Sequence, residues 1–291
     1  MYAIGIDIGG TKIAGALVAA DGAIVRELRV PTPATDSSAI VDAVANLINE
    51  LAAGEEVIGA GVAAAGFIDA DQANIVYAPN LAWRNEPFKA LVEAKVSVPV
   101  LLENDANAAG WAEFVYGVGK GYKHMVMLTL GTGVGGAVVV DSKLLRGGFG
   151  VAAELGHLRV VPEGRLCGCG QYGCIEQYGS GRALLRFAEE ESLKPGTGDA
   201  LAAAKDALGV LPADAVKELL VAGDPGALAA LDTLADWLGK AAASEQGEAL
   251  LQARLAPDML PLATQVRFTT QQVYNTLNRA YGASHSGADA D

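Results

Sequence analysis

Leu102-Glu103-Asn104-Asp105-Ala106-Asn107-Ala108-Ala109-Gly110 places an amide and a carboxylate side by side, between an apolar run from Val96 to Leu102 and a small-residue segment from Ala106 to Tyr116. The run reads as a buried strand and the segment as a helix. A carboxylate at such a junction stands where open α/β sheets bind ligands, outside the strand C-termini. Asp105 can take a proton from a hydroxyl there, and Asn104 can orient that hydroxyl by donating and accepting hydrogen bonds. The competing reading is that Asp105 only caps the helix that follows.

Two glycine turns offer a partner chemistry. Asp7 ends an apolar stretch, Tyr2 to Ile8, and Gly9-Gly10-Thr11-Lys12 follows it. The glycines permit positive φ and a close approach of a ligand to the backbone. With the Thr11 hydroxyl and the Asp7 carboxylate, such a turn can hold phosphate oxygens and a metal-bound water. The pattern returns about 120 residues later, where Met125 to Leu130 leads into Gly131-Thr132-Gly133-Val134-Gly135-Gly136 and then Ala137 to Val140. The repetition suggests two similar halves facing each other across a cleft. The spacing Gly-x-Gly-x-x-Gly is not a dinucleotide fingerprint here, because that needs a following helix and Ala137-Val138-Val139-Val140 is strand-like.

All three cysteines fall within Cys167-Gly168-Cys169-Gly170-Gln171-Tyr172-Gly173-Cys174. Three thiols so close suit a metal better than disulfides, which would leave one unpaired. His157 lies ten residues upstream of Cys167 and completes a closed Cys₃His zinc site with Cys167, Cys169 and Cys174. With four protein ligands the zinc is structural, fixing the loop that carries Glu176. Glu154 and His157, three apart, share a face if they lie on one helical turn.

The elements that must position these groups alternate. Asp21-Gly22 is a hairpin signal between strands Lys12 to Ala19 and Ala23 to Val30. Ala39 to Ala52 has helical spacing, with Ile40, Val44, Leu47, Ile48 and Leu51 on one face. Val57 to Ala64 reads as a buried strand, and Pro79-Asn80-Leu81-Ala82-Trp83 as a loop carrying an amide beside an aromatic wall. Lys143 to Leu145 is a further strand after the Asp141-Ser142 turn. From Arg182 the chain is Ala/Leu-rich helix, broken at Pro195, Pro212 and Pro225, with Leu228 to Ala242 one such helix.

The chain has 291 residues, enough for two domains, and half of them are hydrophobic. Its net charge of −13 excludes a nucleic-acid surface as the main function. Backbone amides and Mg²⁺ can still hold a phosphate donor on an acidic chain. No apolar run approaches the roughly 20 residues needed to span a bilayer, and Met1-Tyr2-Ala3-Ile4-Gly5 has no basic leader. The expectation is a cytoplasmic protein with no membrane partner.

Together the motifs resemble the family of repressors, open reading frames and sugar kinases (ROK), and within it the actinobacterial glucokinases. The matching pieces are Asp7-Ile8-Gly9-Gly10-Thr11-Lys12, Ala78-Pro79-Asn80-Leu81-Ala82-Trp83, Glu103-Asn104-Asp105-Ala106-Asn107, Leu130 to Gly136, Glu154-Leu155-Gly156-His157 and the cysteine loop through Glu176. The resemblance covers about residues 1 to 243 and implies a two-lobed, actin-like ATPase fold of the ribonuclease H-like type. It implies an N-terminal sugar and phosphate lobe over 1–113 and a C-terminal lobe with the zinc loop and nucleotide side over 114–243. By the same resemblance Asp105 is the general base for the 6-hydroxyl of glucose or a similar hexose, and Gly66, Asn80, Asn104, Glu154, His157 and Glu176 hold other hydroxyls. ATP phosphates would lie on Gly9, Gly10, Thr11, Lys12, Gly131, Thr132, Gly133 and Gly135, with Asp7 near Mg²⁺. A homo-oligomer is the default expectation.

The tail, 244–291, departs from the family. A glycine-rich turn beside the adenine is missing, and the glycines there are isolated: Gly247, Gly282 and Gly287. The stretch from Leu250 onward, with Leu262, Val266, Val273 and Leu277 on one helical face, resembles helical-bundle proteins of the DinB type. Ala283 to Asp291 is expected to be disordered. The missing adenine motif keeps a sugar-binding protein without kinase activity in view, and a kinase for another hexose or using polyphosphate is a further alternative. A repressor of the family would need a helix-turn-helix ahead of the first turn, where six residues precede Asp7.

Overall fold

The computed structural model describes residues 1–78, 83–205 and 208–243. The expected tail, with Leu262, Val266, Val273 and Leu277, lies outside the described residues, as do Pro79, Asn80, Leu81 and Ala82. The chain forms two compact units: Met1–Met125 with Ala137–Ala153, and Val126–Gly136 with the chain from Glu154 onward. No described helix is long and apolar enough to cross a membrane.

The first unit opens with β1 (Tyr2–Ile8), β2 (Lys12–Ala19) and β3 (Ile24–Pro31), an antiparallel meander. Helix α1 (Ser37–Ala52) returns the chain so that β4 (Val57–Ala64) pairs parallel with β1. Three short strands follow, β5 (Phe67–Ile68), β6 (Ile75–Tyr77) and β7 (Arg84–Glu86), in a small sheet of their own. Helix α2 (Phe88–Glu93) leads to β8 (Val100–Asn104), which joins the large sheet in the order β3-β2-β1-β4-β8. Helix α3 (Asp105–Val115) leaves directly from its end.

Alternation decides which face is buried. Ile4, Ile6 and Ile8 of β1 point to the same side and pack with Ile40, Val44, Ile48 and Leu51 of α1 in one apolar core. Asp36 caps α1, its Oδ1 accepting from the Ala39 amide at 3.0 Å. The strand expected over Val96 to Leu102 instead begins at Val100 and runs through Asn104. Pro99, with no N–H to give a ladder, precedes its first residue.

Strand β9 (Met125–Leu130), β10 (Val134–Val140) and β11 (Lys143–Leu144) form a three-stranded sheet in the order β11-β10-β9. The strand expected from Ala137 starts three residues earlier, inside the glycine run. Asp141 and Ser142 take φ of 48° and 59°, the two left-handed positions of a tight hairpin turn.

In the second unit a short 3₁₀ turn, Leu155–His157, precedes the cysteine loop. Helices α4 (Glu176–Gly179), α5 (Gly181–Glu191), α6 (Asp199–Ala203), α7 (Ala213–Val221) and α8 (Pro225–Ala243) follow. Pro212 precedes α7 and Pro225 opens α8, positions where a missing N–H costs nothing. Phe187, Leu201, Val216, Ala230 and Leu234 are buried together between these helices.

Ile48→Ala should cost about 2–5 kcal/mol, since the site is fully enclosed, and Asp36→Ala about 1 kcal/mol. Urea unfolding followed by circular dichroism reads both, and equal losses would show that α1 is not held chiefly by its apolar face.

Candidate active site and metal centre

Register brings the groups of the first unit to one edge of the large sheet. Ile8 of β1 pairs with Ala64 of β4, and Ala64 pairs with Asn104 of β8. The next residues of each strand, Gly9, Ala65 and Asp105, therefore emerge level at the strand C-termini, where α/β sheets bind ligands. One step back, Asp7, Ala63 and Glu103 are in line and share the other face of the sheet.

The turn after β1 is closed by the Gly9 amide donating to the Lys12 carbonyl at 3.0 Å. Thr32 Oγ1 donates to the Gly9 carbonyl at 2.7 Å and braces it from β3's end. The expected use of positive φ at Gly9 and Gly10 is not found: neither is among the left-handed glycines. What Gly9 needs is space, because a Cβ there would stand 3.2 Å from the Lys12 carbonyl oxygen.

The cap of α3 is Asn104, not Asp105. Asn104 Oδ1 accepts from the Asn107 amide at 3.0 Å, while its Nδ2 donates to the Gly66 carbonyl at 3.1 Å. Gly66 and Asn104, both expected at the site, are thus tied to each other. Freed from capping, Asp105 is exposed and accepts from the amide of Ala106 at 2.9 Å. Part of Asp7 also meets solvent, yet the strand ends crowd its carboxyl. Burial pushes the Asp7 pKa up, the nearby Asp105 charge pushes it further, and Lys12 draws it partly back. Two carboxylates therefore converge at the strand ends.

Behind Asp105 lies a group whose role the sequence did not reveal. Glu103 is 8% exposed. Its Oε2 accepts from Arg146 Nε and Nη2, each at 2.7 Å, and from Gln72 Nε2 at 3.1 Å. Its Oε1 accepts from the Asn104 amide at 3.0 Å and from Asn107 Nδ2 at 3.3 Å. The available signal was a charged residue at the end of an apolar strand, on the face opposite its core residues Val100 and Leu102; nothing in the spacing pointed to Arg146 or Gln72. Asp7, Glu103 and Arg146 line a cavity of about 450 Å³ on this face, with Trp111 and Leu144 as apolar walls.

In the second unit Glu176 holds the glycine run. Its Oε2 accepts from the Val134 amide at 3.2 Å, and a Cβ on Gly133 would collide with that same oxygen. Gly156 packs as closely on the Val134 carbonyl. The 3₁₀ turn with Glu154 at its start and His157 at its end, the run Gly131–Gly136 with Thr132, and Glu176 are thereby gathered in one place. Gly131 and Gly133 have no positive φ either, and Gly135 lies within β10.

His157, Cys167, Cys169 and Cys174 present ligand atoms all within 4.8 Å of one another. Cys167 Sγ is 3.6 Å from His157 Nδ1, and Cys169 Sγ is 3.6 Å from Cys174 Sγ. Ligands about 2.0–2.3 Å from one tetrahedral ion stand roughly 3.6–3.8 Å apart, so the donor set fits a zinc ion. Burial, then the adjacent thiols, pushes Cys174 up to about 12, and burial raises Cys167. A cation is what would make such crowded thiols ionise. Cys167 Sγ also lies 3.8 Å from Glu176 Oε1, joining the cysteine loop to the glycine run.

A profile of the ROK family matches residues 3–280. A glucokinase of Streptomyces coelicolor is 47% identical over 240 residues, covering 81% of this chain and 75% of its own length. A glucokinase of Halalkalibacterium halodurans is 38% identical over 248 residues, covering 83% and 75%. The crystal structure of a ROK family glucokinase from Streptomyces griseus, in complex with glucose and AMPPNP, superposes with a TM-score of 0.75 at 39% identity, covering 93% of this chain and 90% of that one.

Because folding raises the Asp7 pKa, the folded chain holds more protons than the unfolded one between the two values. Stability from this group is therefore greatest below that window and falls as pH rises through it. Asp105→Asn removes the like charge, so the Asp7 pKa should move down toward the ordinary carboxylate range. Carboxyl carbon NMR titration reads it, and an unmoved Asp7 would mean the two groups do not interact.

Proposed function

The chain belongs to the ROK family and has its actin-like ATPase fold, and on that footing we propose that it is a glucokinase, moving the γ-phosphate of ATP to the 6-hydroxyl of glucose. The observation that carries the reading is the convergence of Asp7 and Asp105 at the carboxyl ends of β1 and β8. In this reading Asp7 is assigned to the cation and Asp105 to the proton.

Phosphoryl transfer asks a protein for an aligned hydroxyl, a proton acceptor and neutralisation of the moving charge. In the proposed reaction Asp105 accepts the 6-hydroxyl proton as the sugar oxygen attacks the γ-phosphorus. The new P–O bond forms as the bond to the bridging oxygen of ATP breaks, and ADP leaves. Mg²⁺, when bound with ATP, would supply charge neutralisation of the phosphates. Gly9, Gly10, Thr11, Lys12, Gly131, Thr132, Gly133 and Gly135 are assigned to phosphate oxygens. Gly66, Asn80, Asn104, Glu154, His157 and Glu176 are assigned to sugar hydroxyls, since every unmatched hydroxyl would strand a buried polar group.

His157, Cys167, Cys169 and Cys174 would hold a structural Zn²⁺, which supplies a fixed crosslink at neutral pH. His157 Nδ1 faces the thiols, which leaves Nε2 for the sugar assignment. That division lets one histidine serve both assignments.

A coupled assay with glucose and Mg-ATP should show turnover. Asp105→Asn should lower it by about 10²–10⁴-fold, the usual worth of a general base, with the circular dichroism spectrum unchanged. Full activity in that variant would remove Asp105 from the chemistry. Glucose binding in a calorimeter without any nucleotide binding would favour a sugar-binding protein, and turnover with polyphosphate alone would replace ATP as donor. Elemental analysis should find one zinc per chain, lost in Cys174→Ser; equal zinc in the two proteins would dismiss the metal assignment.

A further inference from the structure

We propose that Arg146 and Glu103 are a positioning pair that sets the orientation of Asp105, an inference that rests on the glucokinase reading. Asn104, Asp105, Ala106 and Asn107 are the cap and first turn of α3. Glu103 Oε1 takes the amide of Asn104 and the side-chain Nδ2 of Asn107, gripping that turn at its first and last residue. Asp105 sits between the two grips, and among the described residues its own carboxylate accepts only from the neighbouring Ala106 amide. Its direction is therefore inherited from the backbone that Glu103 holds.

Glu103 is in turn fixed from the other side. Oε2 takes both Arg146 nitrogens and Gln72 Nε2, so all donors to one oxygen come from outside α3 and all donors to the other come from it. Arg146 is itself anchored. Its carbonyl accepts from the Ala152 amide at 3.0 Å, closing a short loop. At Gly150, left-handed at φ 86°, a Cβ would strike the carbonyl oxygen of Ile68, so this loop sits tight on β5. The strut thus runs from that loop through Arg146 and Glu103 to the first turn of α3.

Glu103 is not left to touch the sugar in this arrangement. Both Glu103 oxygens are occupied by protein donors, and the carboxylate is buried. An amide at position 103 cannot replace it, because every neighbour donates and none accepts. A pair kept only for bulk is replaceable by apolar side chains of the same volume; a pair kept for direction is not. Misplacement of a reacting group by about 1 Å can cost about 100-fold in rate.

The test compares the full-length chain with Arg146→Lys, which keeps the charge and loses the fork. The expected result is a fall in kcat of about tenfold or more, with KM for glucose and for ATP each changed by less than about threefold. In an Asp105→Asn background the same change should cost nothing further, because there is no base left to misplace. Hydrogen exchange of peptides spanning 103–110 should quicken in Arg146→Lys whatever the activity. If Arg146→Lys does not fold, Gln72→Ala, which removes one weaker donor, should show the same split at smaller size. A kcat within about twofold of the parent, or an equal loss with and without Asp105, overturns the pairing. A parent chain that never phosphorylates glucose overturns the glucokinase reading instead, and the exchange measurement then decides whether Arg146 holds the turn.

Discussion

A carboxylate taken out of water must be answered by donors, and the answer to Glu103 organises the first unit. Removing one partner of such a buried pair typically costs about 3–5 kcal/mol. Glu103 gathers an arginine fork, two side-chain amides and a backbone N–H. Those donors come from four places in the chain, so one charge fixes where β8 ends, where α3 begins and where the loop after β11 must lie. The sheet register does the rest. Once β8 is held, pairing through Ala64 sets its end level with the end of β1.

The second unit repeats the device with a different donor set. Glu176 lies against the Val134 amide on one side and the Cys167 thiol on the other. The glycine run is thereby tied to the loop built from Cys167, Cys169 and Cys174. At the two phosphate-assigned turns the glycines serve for room and not for a left-handed backbone: a carbonyl oxygen crowds Gly9, and a carboxylate oxygen lies close to Gly133. Backbone N–H groups left bare by missing side chains are what a phosphate can approach.

Much of this was legible from residue order. The bounds of β1, β2, β4 and β9 follow from apolar alternation and short turns, and α1 from its five-residue apolar stripe. The cysteine cluster was legible because three thiols and a histidine at that spacing have few other uses. The start of β8 was misplaced because apolar character runs on either side of Pro99, and only the missing N–H decides. Asn104 was hidden as a cap because Asp105 beside it has equal propensity. The choice depends on which side chain also finds the Gly66 carbonyl. Arg146 was invisible for a deeper reason: its partner is 43 residues away, and no local pattern encodes a long-range ion pair.

The first unit is not contiguous, since Ala137–Ala153 belongs with Met1–Met125. Arg146 follows Glu103 by 43 residues, which at about 5–20 residues per second is roughly 2–9 s of synthesis. During that interval the nascent chain already carries β1, β2, β4 and β8 but not the guanidinium that balances them. The strands can assemble on the ribosome, yet they hold an unanswered negative charge until the returning segment clears the exit tunnel. Codon choice and chaperone occupancy across that short window therefore bear on the yield of native protein.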